Sequence, residues 1–209
     1  WSLYRRKQYG MMRARLVKSF ADRRSDTEIT AALTIESETY FQKPVEDLTS
    51  AAVLVPIVDY VDGLTVLLTQ RGALLKNHPG QVSFPGGRIE SSDAGPVAAA
   101  LREAEEEVGL PADLVSVAGC MPEILTGTGF LITPVIGFVA PEFRASPDRA
   151  EVADVFEVPL AFLLEDGNLR SSTRERFGTS LRMVEFDYDG HTIWGATATM
   201  LRNFRSLIK

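Results

Sequence analysis

Arg102-Glu103-Ala104-Glu105-Glu106-Glu107-Val108-Gly109-Leu110 begins fifteen residues after the pair Gly86-Gly87, and its reading decides the fold. Pro96 to Val108 is predicted to be a helix, with Pro96 at the first helical position, alanines to propagate it and Gly109 to stop it. Glu103, Glu106 and Glu107 then stand at i, i+3 and i+4 and project from one face. That grouping is costly, because like charges at these spacings destabilise a helix by about 0.2–0.5 kcal/mol per pair. Acids in the last turn also oppose the helix dipole, by about 0.3–1 kcal/mol each when exposed. Arg102, four residues before Glu106, is placed to offset them. A solvated acidic face would suffice for an isolated cluster of this kind. A divalent cation held between the three carboxylates would instead turn the penalty into a binding site, and hard oxygen ligands suit Mg2+ or Mn2+.

Working outward, these residues resemble the signature of the Nudix hydrolases. That signature is a glycine, a spacer containing an acid, then Arg-Glu-apolar-any-Glu-Glu-any-Gly-apolar. Residues 102–110 match its second half at every fixed position. The first half departs: the family spacing would put the glycine on Arg88 and the acid on Ala94. Gly87 lies one residue earlier, and the nearest acids are Glu90 and Asp93. One extra loop residue accounts for the shift. It leaves the role of the upstream acid open.

The preceding stretch narrows the resemblance. Leu67-Leu68-Thr69-Gln70-Arg71 and His78-Pro79-Gly80-Gln81-Val82-Ser83-Phe84-Pro85-Gly86-Gly87 are similar to the additional motif of the coenzyme A pyrophosphatases. Gly72 stands where Ser or Ala is usual, and Lys76 where Arg is usual; Lys cannot copy the two-pronged grip of Arg on phosphate. Further similarity lies in Thr126-Gly127-Thr128-Gly129-Phe130, in 132–135 and in 193–198, so that the resemblance spans about residues 50 to 205. It implies an α/β fold, the Nudix α/β/α sandwich around a mixed β-sheet. The implied reaction is metal-dependent hydrolysis of coenzyme A, or a derivative, to 3′,5′-ADP and 4′-phosphopantetheine. Another nucleoside diphosphate derivative, ADP-ribose or NADH, is the alternative substrate, and a non-catalytic Nudix-fold binding module the alternative of another class.

The resemblance also assigns roles. Glu103, Glu106 and Glu107 would be carboxylate ligands of Mg2+ or Mn2+, with the backbone carbonyl of Gly87 helping. Arg102 would orient a carboxylate from behind the metal. The general base is left between Glu106, inside the helix, and Glu151, in the later loop Asp148-Arg149-Ala150-Glu151-Val152. Arg71, Lys76 and Arg88 are the candidate phosphate readers, one of them for the 3′-phosphate of coenzyme A. His78 is a candidate contact to phosphate or pantetheine, although an imidazole that only fixes its loop fits as well. Phe84 and Phe130 could stack on adenine or line the pantetheine arm, against the plainer reading that aromatics at strand ends belong to the core.

Bulk properties set limits. Of 209 residues 45% are hydrophobic, which allows a domain with a real core. The net charge of −6 argues against a nucleic-acid surface, which is normally basic. A single cysteine, Cys120, excludes an internal disulfide and fits a reducing, cytoplasmic setting. No apolar run approaches the roughly eighteen residues of a membrane span. The first 21 residues carry six Lys or Arg and no acid. That bias fits a basic helical arm (1–48, ahead of a Nudix domain at 49–209), a targeting segment or a misplaced start. A homodimer, with the arm as contact, is left open.

Along the chain, strands are expected at 51–60, 64–70, 81–84, 114–122, 131–139, 181–188 and 191–194. Helices are expected in part of 13–38, in 96–108, after Pro159 and in 196–208.

Overall fold

The computed structural model describes residues 13, 14, 16, 18, 47–176 and 179–208. Strand β1, Thr49–Tyr60, is its axis: eight consecutive residues from Ala51 to Val58 are buried. A run buried on both faces needs cover on both sides, and the β-branched residues within it suit a pleated strand. β2, Gly63–Arg71, returns antiparallel through the turn at Asp62-Gly63, with Ile57 opposite Val66. β3 is Val82–Ser83 and pairs with β2; β4 is Gly86–Arg88 and pairs antiparallel with the first half of β1.

Helix α1, Pro96–Val108, follows. Next come β5, Val115–Cys120, β6, Ile124–Leu125, and β7, Phe130–Val139. β7 lies parallel to β1 over ten residue pairs, so the eight-stranded sheet is mixed. β8, Val152–Pro159, closes the other edge against β2. The short helix α2, Leu160–Leu164, leads to a separate antiparallel sheet of β9, Arg170–Arg176, β10, Thr179–Tyr188, and β11, His191–Trp194. Helix α3, Gly195–Ile208, ends the described chain.

Alternation along β1 divides the core in two. Ala52, Leu54 and Val58 face α1 and pack with Ala99, Ala100, Ala104 and Val108. Val53, Val55 and Ile57 face the other way and pack with Phe186, Ile193, Leu201 and Phe204 from the C-terminal elements. The expected α/β/α sandwich around a mixed sheet is therefore present. Leu16, fully buried, joins the second core, while Arg13 reaches Asp59 at 3.1 Å and sits over the Phe138 ring. A residue from before position 48 is thus part of the folded unit. The remaining readings of residues 1–48 lie outside the described residues.

Helix α1 runs from Pro96 to Val108, as its sequence predicts, and Gly109 adopts the left-handed conformation that ends it. The amide of Leu110 reaches back to Ala104 O, a Schellman-type stop. Four strands were not anticipated: the short β4 and β6, and the longer β8 and β9. β8 carries Val152, Phe156 and Val158 on one face but also Val155 on the other, so no clean alternation marks it. β9 is polar throughout.

Candidate active site

Arg102 is the hub of the carboxylate face. Its Nε donates to Asp93 Oδ1 at 3.0 Å and its Nη2 to Asp93 Oδ2 at 3.0 Å and to the Arg88 carbonyl at 3.1 Å. Nη1 donates to Glu103 Oε1 at 2.9 Å and to Glu106 Oε2 at 3.1 Å. Five N–H groups thus meet five acceptors, the full capacity of a guanidinium. Asp93 is only 5% exposed at its side chain, and the Glu90 amide also donates to it. The Arg102 contact, foremost, holds its carboxyl below the ordinary value. Asp93 is thus the partner of Arg102, the position that the shifted loop spacing obscured.

Glu107 is the buried member of the face, at 5% exposure. Gly86 N–H reaches its Oε2 at 3.4 Å and the Arg71 guanidinium its Oε1 at 3.7 Å, both long contacts. Burial pushes its carboxyl up to about 7; Arg71 opposes this, and the charges of Glu103 and Glu151 add to it. Glu103 is also raised, by burial first, with Arg102 opposing and Glu106 and Glu151 repelling. Glu151, although exposed, is therefore near both. Its loop is tied at each end: Ser146 and Asp148 amides cap the last carbonyls of α1, at Val108 and Glu107, and Gly72 N–H donates to the Glu151 carbonyl at 2.7 Å.

Gly87 lies against the same face. A Cβ at this position would stand 2.5 Å from Cδ of Glu103, so any side chain there would displace that carboxylate. Gly86 is closed off from the other side, where a Cβ would come 2.6 Å from Val53 Cα. The pair lets β4 lie close beside β1 and beneath the Glu103 side chain of α1.

Among the described residues no three His, Cys, Asp or Glu side chains stand close enough to share one ion as they are. Arg102 explains this, since it takes an oxygen of Glu103 and of Glu106, and Glu106 is 60% exposed. The donor set nevertheless suits a hard divalent cation: an under-paired buried carboxylate, Glu107, beside Glu103 and a glycine whose backbone approaches it. Joining them would require Glu106 to leave Arg102.

The other sequence candidates fall into four groups. Arg71 reaches one of the carboxylates, Glu107. Lys76 and His78 lie on the exposed loop beyond β2, where His78 Nδ1 pairs with Gln81 Oε1 at 2.9 Å and the residue takes a positive φ of 54°. Arg88 stands over the Phe130 ring, 5.7 Å from its centroid. Phe84 requires a correction: at 2% exposure it is packed in the second core and offers no face to a ligand. An aromatic before Pro85 sits where β3 ends over that core, which outweighs any stacking role. His191, outside the site, stacks on Phe156 at 3.8 Å and faces Asp154.

Residues 48–174 match the NUDIX domain family model. The chain belongs to the Nudix hydrolase family. A protein named uncharacterized Nudix hydrolase NudL from Citrobacter koseri is 46% identical over 153 residues, 73% of this chain and 79% of that protein. Its namesake from Salmonella paratyphi B is 47% identical over 155 residues, again 73% and 79%. The fold is also that of a MutT/nudix family protein from Enterococcus faecalis, with a TM-score of 0.51 at 15% identity, covering 80% of this chain and 63% of that one. As a Nudix hydrolase the protein is a pyrophosphohydrolase acting on a pyrophosphate-containing substrate, and such enzymes generally use divalent metal ions such as Mg2+ or Mn2+. No described helix is long and apolar enough to cross a membrane.

Proposed function

We propose that this Nudix hydrolase cleaves the pyrophosphate bond of coenzyme A, or of its acyl or oxidised forms, to 3′,5′-ADP and 4′-phosphopantetheine. The observation that carries the reading is the seating of residues 71–87, the stretch similar to the coenzyme A motif. Arg71 at its start contacts Glu107, and Gly87 at its end contacts Glu103. The loop between them, including Lys76 and His78, therefore begins and ends on the reacting centre. A substrate diphosphate at the carboxylates would meet that loop first.

In this reading Glu103, Glu107 and the Gly87 carbonyl would hold the metal, and Glu106 would join them on leaving Arg102. A bound divalent cation would neutralise the diphosphate and lower the pKa of an attacking water. Arg102, anchored by Asp93, fixes the orientation of Glu103. Glu151 takes the proton from water: its loop is pinned to the end of α1, and its charge reaches both Glu103 and Glu107. Arg71, which stands 3.7 Å from Glu107, would be available to face phosphate with a cation at that carboxylate.

The test is turnover by mass spectrometry with Mg2+ or Mn2+, comparing coenzyme A, acetyl-coenzyme A, ADP-ribose and NADH at equal concentration. Dominant release of 3′,5′-ADP and 4′-phosphopantetheine supports the reading. Faster cleavage of ADP-ribose or NADH overturns the substrate while leaving the carboxylate assignment intact.

A further inference from the structure

β1 and β2 pair with each other only near their shared turn, residues 57–60 against 63–66. Beyond that, residues 82–88 come between them, with β3 on β2 and β4 on β1, while β8 covers the other side of β2. The inserted segment is held carbonyl by carbonyl. Gln81 O accepts the Arg71 amide at 2.9 Å, Ser83 O the Thr69 hydroxyl at 3.2 Å, and Pro85 O the Leu54 amide at 2.9 Å. Val82 lies opposite Gln70, and antiparallel alternation turns its carbonyl away from β2. Its partner comes from the C-terminal helix instead. The Thr197 hydroxyl donates to Val82 O at 2.9 Å, in a buried setting.

The stretch 193–198 delivers that hydroxyl. Ile193 is fully buried in the second core, and Gly195, at a φ of 66°, turns β11 into α3. Thr197 is the third residue of the helix and only 6% exposed, and Ala198 and Leu201 anchor the same part of α3 in the second core. A hydroxyl among these apolar neighbours serves a carbonyl that β2 cannot reach, and a buried carbonyl left without a donor is costly.

Four residues after Val82, the Gly86 amide reaches Glu107 Oε2 at 3.4 Å, and Gly87 lies against the Glu103 carboxylate. The Gly86 contact is long, so a small rotation of the backbone before it is enough to break it. Without a donor at 197, the Val82–Ser83 peptide would turn to find one, and the backbone leading to the two glycines would turn with it. We infer, on the proposed reading of Glu103, Glu107 and the Gly87 carbonyl as metal ligands, that Thr197 is a positioning residue for the metal centre. From 115 residues away in sequence, its hydroxyl fixes the peptide that leads into the glycine pair.

The test is Mn2+ binding without substrate, read from the free-ion signal in electron paramagnetic resonance well below each protein's melting temperature. Thr197→Val keeps the shape and removes the hydroxyl; Thr197→Ser keeps the hydroxyl. Thr197→Val should bind Mn2+ about tenfold more weakly, the low end for groups that orient a metal ligand, and Thr197→Ser should stay close to wild type. Should Thr197→Val fail to fold, Thr197→Ala is read in its place. Thr199→Val is the control: the Thr199 hydroxyl bonds within α3, to the Gly195 carbonyl at 2.9 Å, and its loss should leave the affinity unchanged. Wild-type affinity in Thr197→Val, or equal weakening in Thr197→Ser or Thr199→Val, would overturn the inference. Glu103→Gln tells the two readings apart. Weak Mn2+ binding there with wild-type binding by Thr197→Val sinks the positioning role alone. Wild-type affinity in Glu103→Gln sinks the carboxylate assignment and the role of Thr197 with it.

Discussion

Arg102 and Asp93 face each other through two parallel hydrogen bonds, Nε to Oδ1 and Nη2 to Oδ2, both 3.0 Å. The remaining guanidinium N–H groups reach Glu103, Glu106 and the Arg88 carbonyl. Asp93 thus fixes the angle at which Arg102 presents its charge to the carboxylate face. Replacing a group that orients a metal ligand typically costs 10–100-fold in metal affinity or activity. Asp93→Asn and Arg102→Lys are each expected to fall in that range, with a raised metal requirement in a Mg2+ titration. A variant of either kind with wild-type metal dependence would remove Arg102 from this role.

Gly86 and Gly87 should fail differently on substitution. Gly87→Ala drives a methyl into the Glu103 carboxylate, a side chain that can swing aside. Activity should drop at least about tenfold with a stability loss of about 1 kcal/mol. Gly86→Ala drives the methyl into the backbone of β1, which cannot yield without shifting the strand. Its stability loss should be the larger, about 2–3 kcal/mol in the range of overpacked sites. Equal melting temperatures for the two variants would contradict the packing described.

Glu107 makes stability depend on pH. Its carboxyl titrates near 7 in the folded protein, against an ordinary value of 4.5. Between those limits the folded state keeps a proton that the unfolded chain has lost. Stability must therefore fall as pH rises through this window and is lowest above it. The effect is on the order of 3 kcal/mol at most. Without divalent cations, the wild-type melting temperature should decline from pH 5 to pH 8. Glu107→Gln should flatten the decline and melt higher than wild type at pH 8. Glu103, also raised, leaves a smaller slope of the same sign. Parallel curves for the two proteins would rule out a strained carboxylate at 107.

Phe84→Leu provides a contrasting case. Phe84 is enclosed in the core, so the substitution should cost about 1–2 kcal/mol of stability. The KM should stay at its wild-type value. A raised KM without loss of stability would restore a ligand contact to this ring.

How far the sequence reaches is clear from particular residues. The carboxylate helix is legible to the residue because Pro96 and Gly109 are local signals, and local signals do not wait on tertiary context. The strand Val152–Pro159 is not, because its two faces are covered by different partners and alternation is lost. Asp93 shows the same limit within the site. Its role depends on where a loop folds back on Arg102, which spacing alone leaves between Glu90 and Asp93. The Arg88–Phe130 contact joins residues 42 apart in sequence through pairing on opposite sides of β1, and no linear motif encodes it.

The most direct measurement is turnover of coenzyme A with Mg2+ or Mn2+ by the wild-type protein and by Glu103→Gln, each product quantified by mass spectrometry. The wild type should release 3′,5′-ADP and 4′-phosphopantetheine in equal amounts, and Glu103→Gln should be slower by about a hundredfold or more, the loss of about 2.7 kcal/mol of transition-state stabilisation. Intact coenzyme A after incubation with the wild type, or equal turnover by the two proteins, would contradict the account.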